Sequence, residues 1–423
     1  MSIKRVFLFA VLTSLLSLVA LSASAQDEIT IRYTLWIPPD AGQMEAFNAI
    51  KADYEEMNPG VVIEYDFIPF NDYESVLTLQ LSGTNPPDAG WLVERSAPTF
   101  IQAGVLADIA PVLNSAEGYD FADFSEPAMS LWTEGESVYG IPFSTSPFLF
   151  IYNKTLWEEA GVALPDDLIA EGNWNWATVS ESLATITEST GTYGFQSNDA
   201  ALYTGNFWIT IVPMLRAYGG DVWDADNQCV LNSEGSVEGL TVLHSMIFDA
   251  ESAVPPGTEI DFFAGDAAST IGQLSRVGRL ADAEFAWDIA PLPSGSADTP
   301  YVIGQAAMSV FNNSANSDVA ADFVRFMTTQ ENVTRLSAYF PPIRASVLES
   351  QAFLDANPSI APERINDVVA TAINNGTVLA SHPNFPTIEL TTRALLDELW
   401  TPGADIQATA DLICGAIQPL LDQ

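Results

Sequence analysis

The segment Ile29-Thr30-Ile31-Arg32-Tyr33-Thr34-Leu35-Trp36 reads as a strand, and Pro38-Pro39-Asp40 ends it. Met44, Phe47, Ile50, Tyr54 and Met57 then recur at three- and four-residue spacing, which places them along one face of a helix. Asn58-Pro59-Gly60 stops that helix, and 61–68 reads as the next strand. Strand, helix, strand in this order is a βαβ opening. The sequence therefore predicts an α/β protein with a mostly parallel sheet and helices on its faces.

The alternation continues outward from this opening. A strand end is expected at 88–92, a short helix at 97–104, and a long apolar stretch at 139–152 crossed by Pro142 and Pro147. Helices follow at 153–161 and 176–187, then strands at 285–291 and 302–311, then an amphipathic helix at 317–328 capped at Ser317 or Asp318. There is no repeat of 20 to 50 residues and no low-complexity segment.

Lys4 and Arg5, the apolar run 6–20 and the small pair Ala23/Ala25 have the layout of a secretory signal peptide over 1–25. Its removal would take two bases and no acid from the 14 Lys+Arg and 55 Asp+Glu, deepening the formal charge from −41 to −43. A polyanion would be repelled by such a chain, so nucleic acid and anionic lipid are not expected partners. No Cys near the cleavage site offers a lipid attachment point, so the expectation is a freely diffusing periplasmic or secreted protein. The remaining chain has no run of 18 apolar residues, and its length favours two domains.

The motifs then become specific. Asn85-Pro86-Pro87-Asp88, Gln102-Ala103-Gly104-Val105-Leu106-Ala107-Asp108-Ile109, Tyr139-Gly140-Ile141-Pro142, Ile151-Tyr152-Asn153-Lys154 and Leu156-Trp157-Glu158-Glu159-Ala160-Gly161 occur in order. Gly219-Gly220-Asp221, Phe263-Ala264-Gly265-Asp266-Ala267-Ala268, Ala290-Pro291-Leu292-Pro293 and Ala320-Ala321-Asp322-Phe323-Val324-Arg325-Phe326 follow. This ordered set resembles the extracellular sugar-binding proteins of ABC importers, the family that includes the maltose-binding protein. The resemblance covers almost the whole chain after residue 25. It implies a two-lobe periplasmic binding protein type II fold, each lobe a mixed, mostly parallel sheet flanked by helices, with the ligand cleft between lobes. Carried over, the chain leaves the first lobe near Ile141-Pro142, returns near Leu292-Pro293 and leaves again near Pro341-Pro342. The first lobe is then 26–142 and 292–341, and the second 143–291 and 342–423. The implied function is a non-enzymatic, monomeric carrier, without cofactor, that traps a carbohydrate and presents it to an ABC transporter membrane permease.

A sugar site needs rings to stack on pyranose faces and polar groups to bond hydroxyls. Parallel sheets place ligands at the carboxyl ends of strands, which selects Trp36 and Asp40 after the first strand and Asp88, Trp91, Glu94 and Arg95 around another. For Trp91 packing is the rival reading, for Glu94 and Arg95 a surface ion pair, and for Asp88 a structural cap of the Pro-Pro-Asp turn. Ser144, Thr145 and Ser146 sit just past the first crossing. Trp208 stands where the family often has a stacking ring, with Phe207 expected to pack and Trp223 to be structural. Gly220, Arg276, Gln305 and Phe385 complete the candidates. Where the maltose-binding protein carries rings, this chain has Ile271-Gly272-Gln273-Leu274-Ser275-Arg276, which argues against long-oligosaccharide stacking and permits a smaller or more polar ligand.

Cys229 and Cys414 are the only cysteines, and an even count in an exported chain favours a disulfide. In the two-lobe reading it ties the C-terminal helix to the second lobe. Asp221, Asp224 and Asp226 share one acidic loop but lack the Gly and terminal Glu of an EF-hand, and two histidines, His244 and His382, supply no zinc set. No nucleophile elbow, phosphate loop or dinucleotide fingerprint appears at a strand-to-helix junction. Two alternatives remain open at this point: a secreted glycoside hydrolase using paired carboxylates, and the same carrier fold holding a polyol or a sugar or glycerol phosphate near Arg95 and Arg276.

Overall fold

A computed structural model describes residues 28–423 apart from 125, 198–206, 256 and 299. The signal-peptide expectation for 1–25 lies outside the described residues, as do the side chains of 126–127 and 207–210.

The opening folds as its spacing requires. Strand β1 (Ile29–Leu35), helix α1 (Met44–Met57) and strand β2 (Val61–Phe67) form the βαβ unit, with β1 and β2 parallel from Ile29↔Val61 to Leu35↔Phe67. Met44, Phe47, Ile50 and Tyr54 are buried, whereas Met57, the last residue of the apolar series and of the helix, is 61% exposed. Gly60 turns the chain with φ +95°, a value that L side chains rarely adopt. Helix α2 (Tyr73–Leu81) leads to β3 (Ala89–Val93), and α3 (Ala97–Gln102) follows a single turn at Glu94–Ser96. A Cβ on Gly90 would lie 2.0 Å from Thr34 Oγ1, so glycine is what lets β3 pack beside β1.

Next comes β4 (Ile141–Asn153), thirteen consecutive buried residues. It is followed by α4 (Trp176–Thr190), α5 (Phe207–Ala217), α6 (Glu234–Phe248), β5 (Ser269–Gln273), β6 (Trp287–Ala290), β7 (Val302–Val310) and α7 (Ser317–Met327). The short β8 (Thr377–Val378), α8 (Phe385–Leu396) and α9 (Ile406–Leu421) complete the elements needed here. Helix α4 is capped by Asn175, whose side chain accepts from Thr178 N; α7 begins after Asn316, one residue before the expected cap, and without a side-chain cap bond.

One hydrogen-bonded path, β2-β1-β3-β7-β4-β5, runs through the molecule, with β6 on β4 and β8 on β7. The expected parallel pairing holds for β2-β1-β3. Beyond them β3-β7, β7-β4, β4-β5 and β4-β6 are antiparallel, and parallel pairing is limited to the two-residue β8 on β7 and to isolated bridges such as Tyr193↔Ala267 and Gln196↔Thr270. The sheet is therefore mixed. The cause is β4 itself, a single long strand that enters the second lobe directly from the first instead of arriving by a crossover helix.

Three apolar cores explain the shape. The first contains Ile31, Tyr33, Phe47, Trp91 and Phe143, together with Ala306–Phe311 and residues up to Ile343. The second contains Phe148, Phe150, Trp157, Trp176, Val302, Phe385 and Ile413; the third contains Leu149, Ile151, Phe262, Leu274 and Val369. Residues 148–151 thus alternate between the two cores that flank the second lobe's sheet, as period-two side chains must. The chain changes core between Phe143 and Phe148 on β4, between Val302 and Ala306 on β7, and between Ile343 and Phe353. Leu292 packs in the second core, so the return falls within β7 rather than at the proline beside it.

The predicted disulfide is present: Cys229 and Cys414 are bonded, with Cα atoms 5.4 Å apart. It fastens α9 to the loop before α6, where Cys229 N also donates to Gln418 Oε1 at 2.8 Å.

Candidate functional site

Strands β4 and β7 form an antiparallel ribbon between the lobes, and its two faces look into different grooves. Ser144 opposite Ala306 and Ser146 opposite Gly304 point one way; Thr145 opposite Gln305 and Pro147 opposite Ile303 point the other. On the Thr145 and Ile303 face lies a groove of about 1350 Å³, walled by Phe124 and Ala128 from the first lobe and by Trp223 and Leu379 from the second. Among the described residues, none of the loops at the carboxyl ends of β1, β3 and β5 lines it. Those loops gather on the Ser146 face, and open α/β sheets bind ligands at such ends. We call that side the front.

At the front the lobes touch. Thr99 Oγ1 on α3 donates to Pro383 O, just before α8, at 2.9 Å. In the turn after β5, Gly278 faces Tyr339 and Gln43 of the first lobe so closely that a Cβ would lie 3.1 Å from the Tyr339 ring. Lobes that meet in front and stand apart behind are in a closed posture about the ribbon.

The first lobe supplies an aromatic and cationic wall. Trp36, half-buried, stands edge-on to Phe70 (5.4 Å between centroids), Tyr73 (5.0 Å) and Trp91 (4.8 Å). Phe70 keeps 37% of its surface exposed, and the Arg95 guanidinium lies 5.7 Å from its ring. Glu94 is buried beside Arg95, with Oε2 accepting from Gln305 N at 2.8 Å. Burial raises its carboxyl above the usual range, although Arg95 and the Gln305 amide pull the other way. From the second lobe, Gln273 covers Gly304 and reaches Ser146 O at 3.4 Å.

Charge pairing singles out two arginines. In this acid-rich chain Arg32, Arg216, Arg335, Arg344 and Arg364 each pair with a carboxylate. Arg95 and Arg393 do not reach an acid at ion-pairing distance among the described residues. Glu389, one helical turn before Arg393 on α8, feels both of them and Glu74 across the seam. Its Oε1 is buried without a hydrogen-bond partner among the described residues. Burial, with help from Glu74, pushes this carboxyl up to about 7 against the pull of Arg95 and Arg393.

The sequence candidates divide accordingly. Trp36, Glu94, Arg95 and Ser146 lie at the front, Ser144 is buried on the same face of the ribbon, Asp40 is exposed on the loop after β1, and Arg276 is exposed in the turn after β5. Trp91 is fully buried in the first core, its ring 4.6 Å from that of Phe143, so it packs rather than presenting a stacking face. Asp88 is a structural tie: Oδ2 accepts from Arg32 N at 2.8 Å and Oδ1 from Ser314 Oγ at 2.5 Å.

Gln305 turns to the rear, accepting from Trp132 Nε1 (2.7 Å) and donating to Ala128 O (2.9 Å). Gly220 borders the rear groove and is required for packing, since a Cβ there would lie 2.3 Å from Ser236 Oγ. Phe385 is buried in the second core, edge-on to Trp223 at 6.2 Å. Trp208 and Phe207 open α5, and their side chains lie outside the described residues.

In the acidic loop Asp221 accepts from Arg216 Nε at 2.8 Å, and Asp224 Oδ1 accepts the amides of Asp226 and Gln228, each at 2.9 Å. These carboxylates are thus engaged in holding a hairpin. Phe70, Glu74, Gln273, Glu389 and Arg393 were not among the sequence candidates. For Glu389 and Arg393 the available signal was the i,i+4 spacing, which ordinarily marks a solvated pair.

Comparison with known proteins places this geometry. Residues 39–334 match the family described as bacterial extracellular solute-binding protein. The arabinooligosaccharide-binding protein of Bacillus subtilis is 23% identical over 380 residues, covering 84% of each chain. An ABC substrate-binding protein from Listeria monocytogenes in complex with cycloalternan superposes with a TM-score of 0.80 at 21% identity, over 94% of this chain and all of that one. UgpB from Mycobacterium tuberculosis in complex with glycerophosphocholine gives 0.77 at 21% identity, over 93% and 98%. The fold is the two-lobe periplasmic binding protein fold, and the chain belongs to the bacterial extracellular solute-binding protein family.

Proposed function

We propose that this chain captures a carbohydrate outside the cytoplasmic membrane, closes its lobes over it at the front of the β4/β7 ribbon, and presents it to an ABC transporter permease. The observation that carries the reading is the pairing, on one closed seam, of an exposed ring at Phe70 and half-buried Trp36 with arginines at 95 and 393 that reach no acid at ion-pairing distance among the described residues. Rings offer flat apolar faces to a pyranose, and arginine offers donors to its hydroxyl and ring oxygens. Ligand would favour closure only through its greater affinity for the closed arrangement. The first lobe is taken as the residues up to the middle of β4 and from the middle of β7 to Ile343, with the rest forming the second. The carrier acts as a monomer, without catalysis, after removal of residues 1–25.

One observation favours a second reading. Two unpaired arginines also suit a phosphate, and a structural neighbour holds glycerophosphocholine. Against it, Glu74, Glu94 and Glu389 surround the same arginines and would repel an anion.

Thermal unfolding of residues 26–423 against mono-, di- and oligosaccharides, polyols and sugar phosphates tests the reading, with the mixture analysed afterwards. A ligand at a thousand times its dissociation constant adds about 4 kcal/mol to folded-state stability. A shift with an intact neutral sugar is expected. Shifts confined to phosphorylated members would select the second reading, and a hydrolysed sugar would replace carriage by catalysis.

A further inference from the structure

We infer that Glu389 is a proton-coupled brake on lobe closure: closing buries its Oε1 in the seam without a hydrogen-bond partner among the described residues, so the closed form takes up a proton there. The inference rests on the closing motion of the proposed function and not on the identity of the ligand.

The placement of Glu389 is what carries this. Helix α8 turns Ile388 and Thr392 inward, which sets Glu389 and Arg393 on the neighbouring face, toward the first lobe. The charged groups that face Glu389 come from three elements: Glu74 on α2, Arg95 in the turn after β3, and Arg393 on α8 itself. Two of the three belong to the opposite lobe, and the Thr99–Pro383 hydrogen bond closes the seam at the start of the same helix. Oε1 has lost water and gained no hydrogen bond, while Glu74 adds a like charge. Such a site is unfavourable for the ionised carboxylate and far less so for the neutral acid.

The sign follows from linkage. In the open form the α2 and Arg95 side of the seam withdraws and Glu389 faces water, where its ordinary value is 4.5; in the closed form burial and Glu74 raise it to about 7. A group with the higher pKa in the closed form binds its proton on closing. Closure is therefore favoured in acid and weakens as pH rises from 4.5 toward 7, with no further change above that. The shift from 4.5 to about 7 corresponds to at most roughly two orders of magnitude in the closed-to-open ratio.

The test is small-angle X-ray scattering on ligand-free residues 26–423 from pH 5 to 8.5 at fixed ionic strength, on the wild type, E389Q and E74Q. The wild type should expand as pH rises from 5 toward 7 and change no further above that. E389Q, a neutral isostere, should keep the compact radius at both ends, and E74Q should begin to expand where the wild type does but level off at a lower pH and a smaller radius, because removing the like charge lowers the closed-form pKa alone. A wild-type radius independent of pH, or one that changes in parallel with that of E389Q, would overturn the inference. Failure of the carrier reading shows separately, as absence of any sugar-induced shift in unfolding.

Discussion

Removing the disulfide by the double substitution C229S/C414S tests how the second lobe holds its last helix. The bridge closes a loop of 185 residues. With the loop term of −2.1 − 1.5R ln n, the entropy it removes from the unfolded chain corresponds to about 5 kcal/mol at 25 °C. The measured effect should be smaller, because the reduced α9 still docks. Ile413, Ile417 and Leu421 remain buried, Cys229 N reaches Gln418 through the backbone, and Asn232 still donates to Asp411 at 2.7 Å. We expect a loss of about 2–4 kcal/mol. For a lobe of this size that lowers the midpoint by roughly 5–15 °C. Differential scanning calorimetry, with limited proteolysis to identify which lobe opens first, reads both size and place. A change below about 1 kcal/mol, or cleavage appearing first in the first lobe, would refute the reasoning.

Other consequences follow from the same packing. Trp91→Ala should cost about 3–5 kcal/mol in urea unfolding, since its ring joins Trp36, Phe47, Phe143 and Phe340 in the first core; a loss of ligand affinity without loss of stability would restore it as a stacking residue. Arg344 is buried after the third change of core, donating to the carbonyls of Thr328, Tyr119 and Asp120 and to Asp123, with Phe124 4.1 Å from its guanidinium. Arg344→Met should cost about 3–5 kcal/mol by chemical denaturation, because those acceptors and a carboxylate lose their donor. With 55 acidic against 14 basic residues, folding should gain stability between about 10 mM and 1 M NaCl as self-repulsion is screened, which a series of thermal melts would read; a flat or falling series would contradict that.

How far the sequence could lead depended on which interactions were local. The β1-α1-β2 unit is written in spacing and in Asn58-Pro59-Gly60, and it formed where expected. The disulfide followed from cysteine count in an exported chain. The ligand side was harder. In β3 four of five residues are buried, so no alternation tells which side chains face a cleft, and Trp91 lay three residues from Glu94 with nothing local to part them. Gln305 is another case: its face depends on its partner Thr145, past a register shift between Pro142 and Ser144, which only the assembled ribbon reveals. Glu389 and Arg393 looked like a surface pair because the group that desolvates Glu389 is the opposite lobe.

The most direct test of the account is amide hydrogen exchange on residues 26–423 with and without the carbohydrate that most raises the unfolding midpoint. Ligand held at the front should protect 93–96, 273–280 and 383–393 and leave the rear groove at 219–224 and 373–381 unprotected. Protection concentrated at 219–224 and 373–381, or no carbohydrate that binds at all, would contradict it.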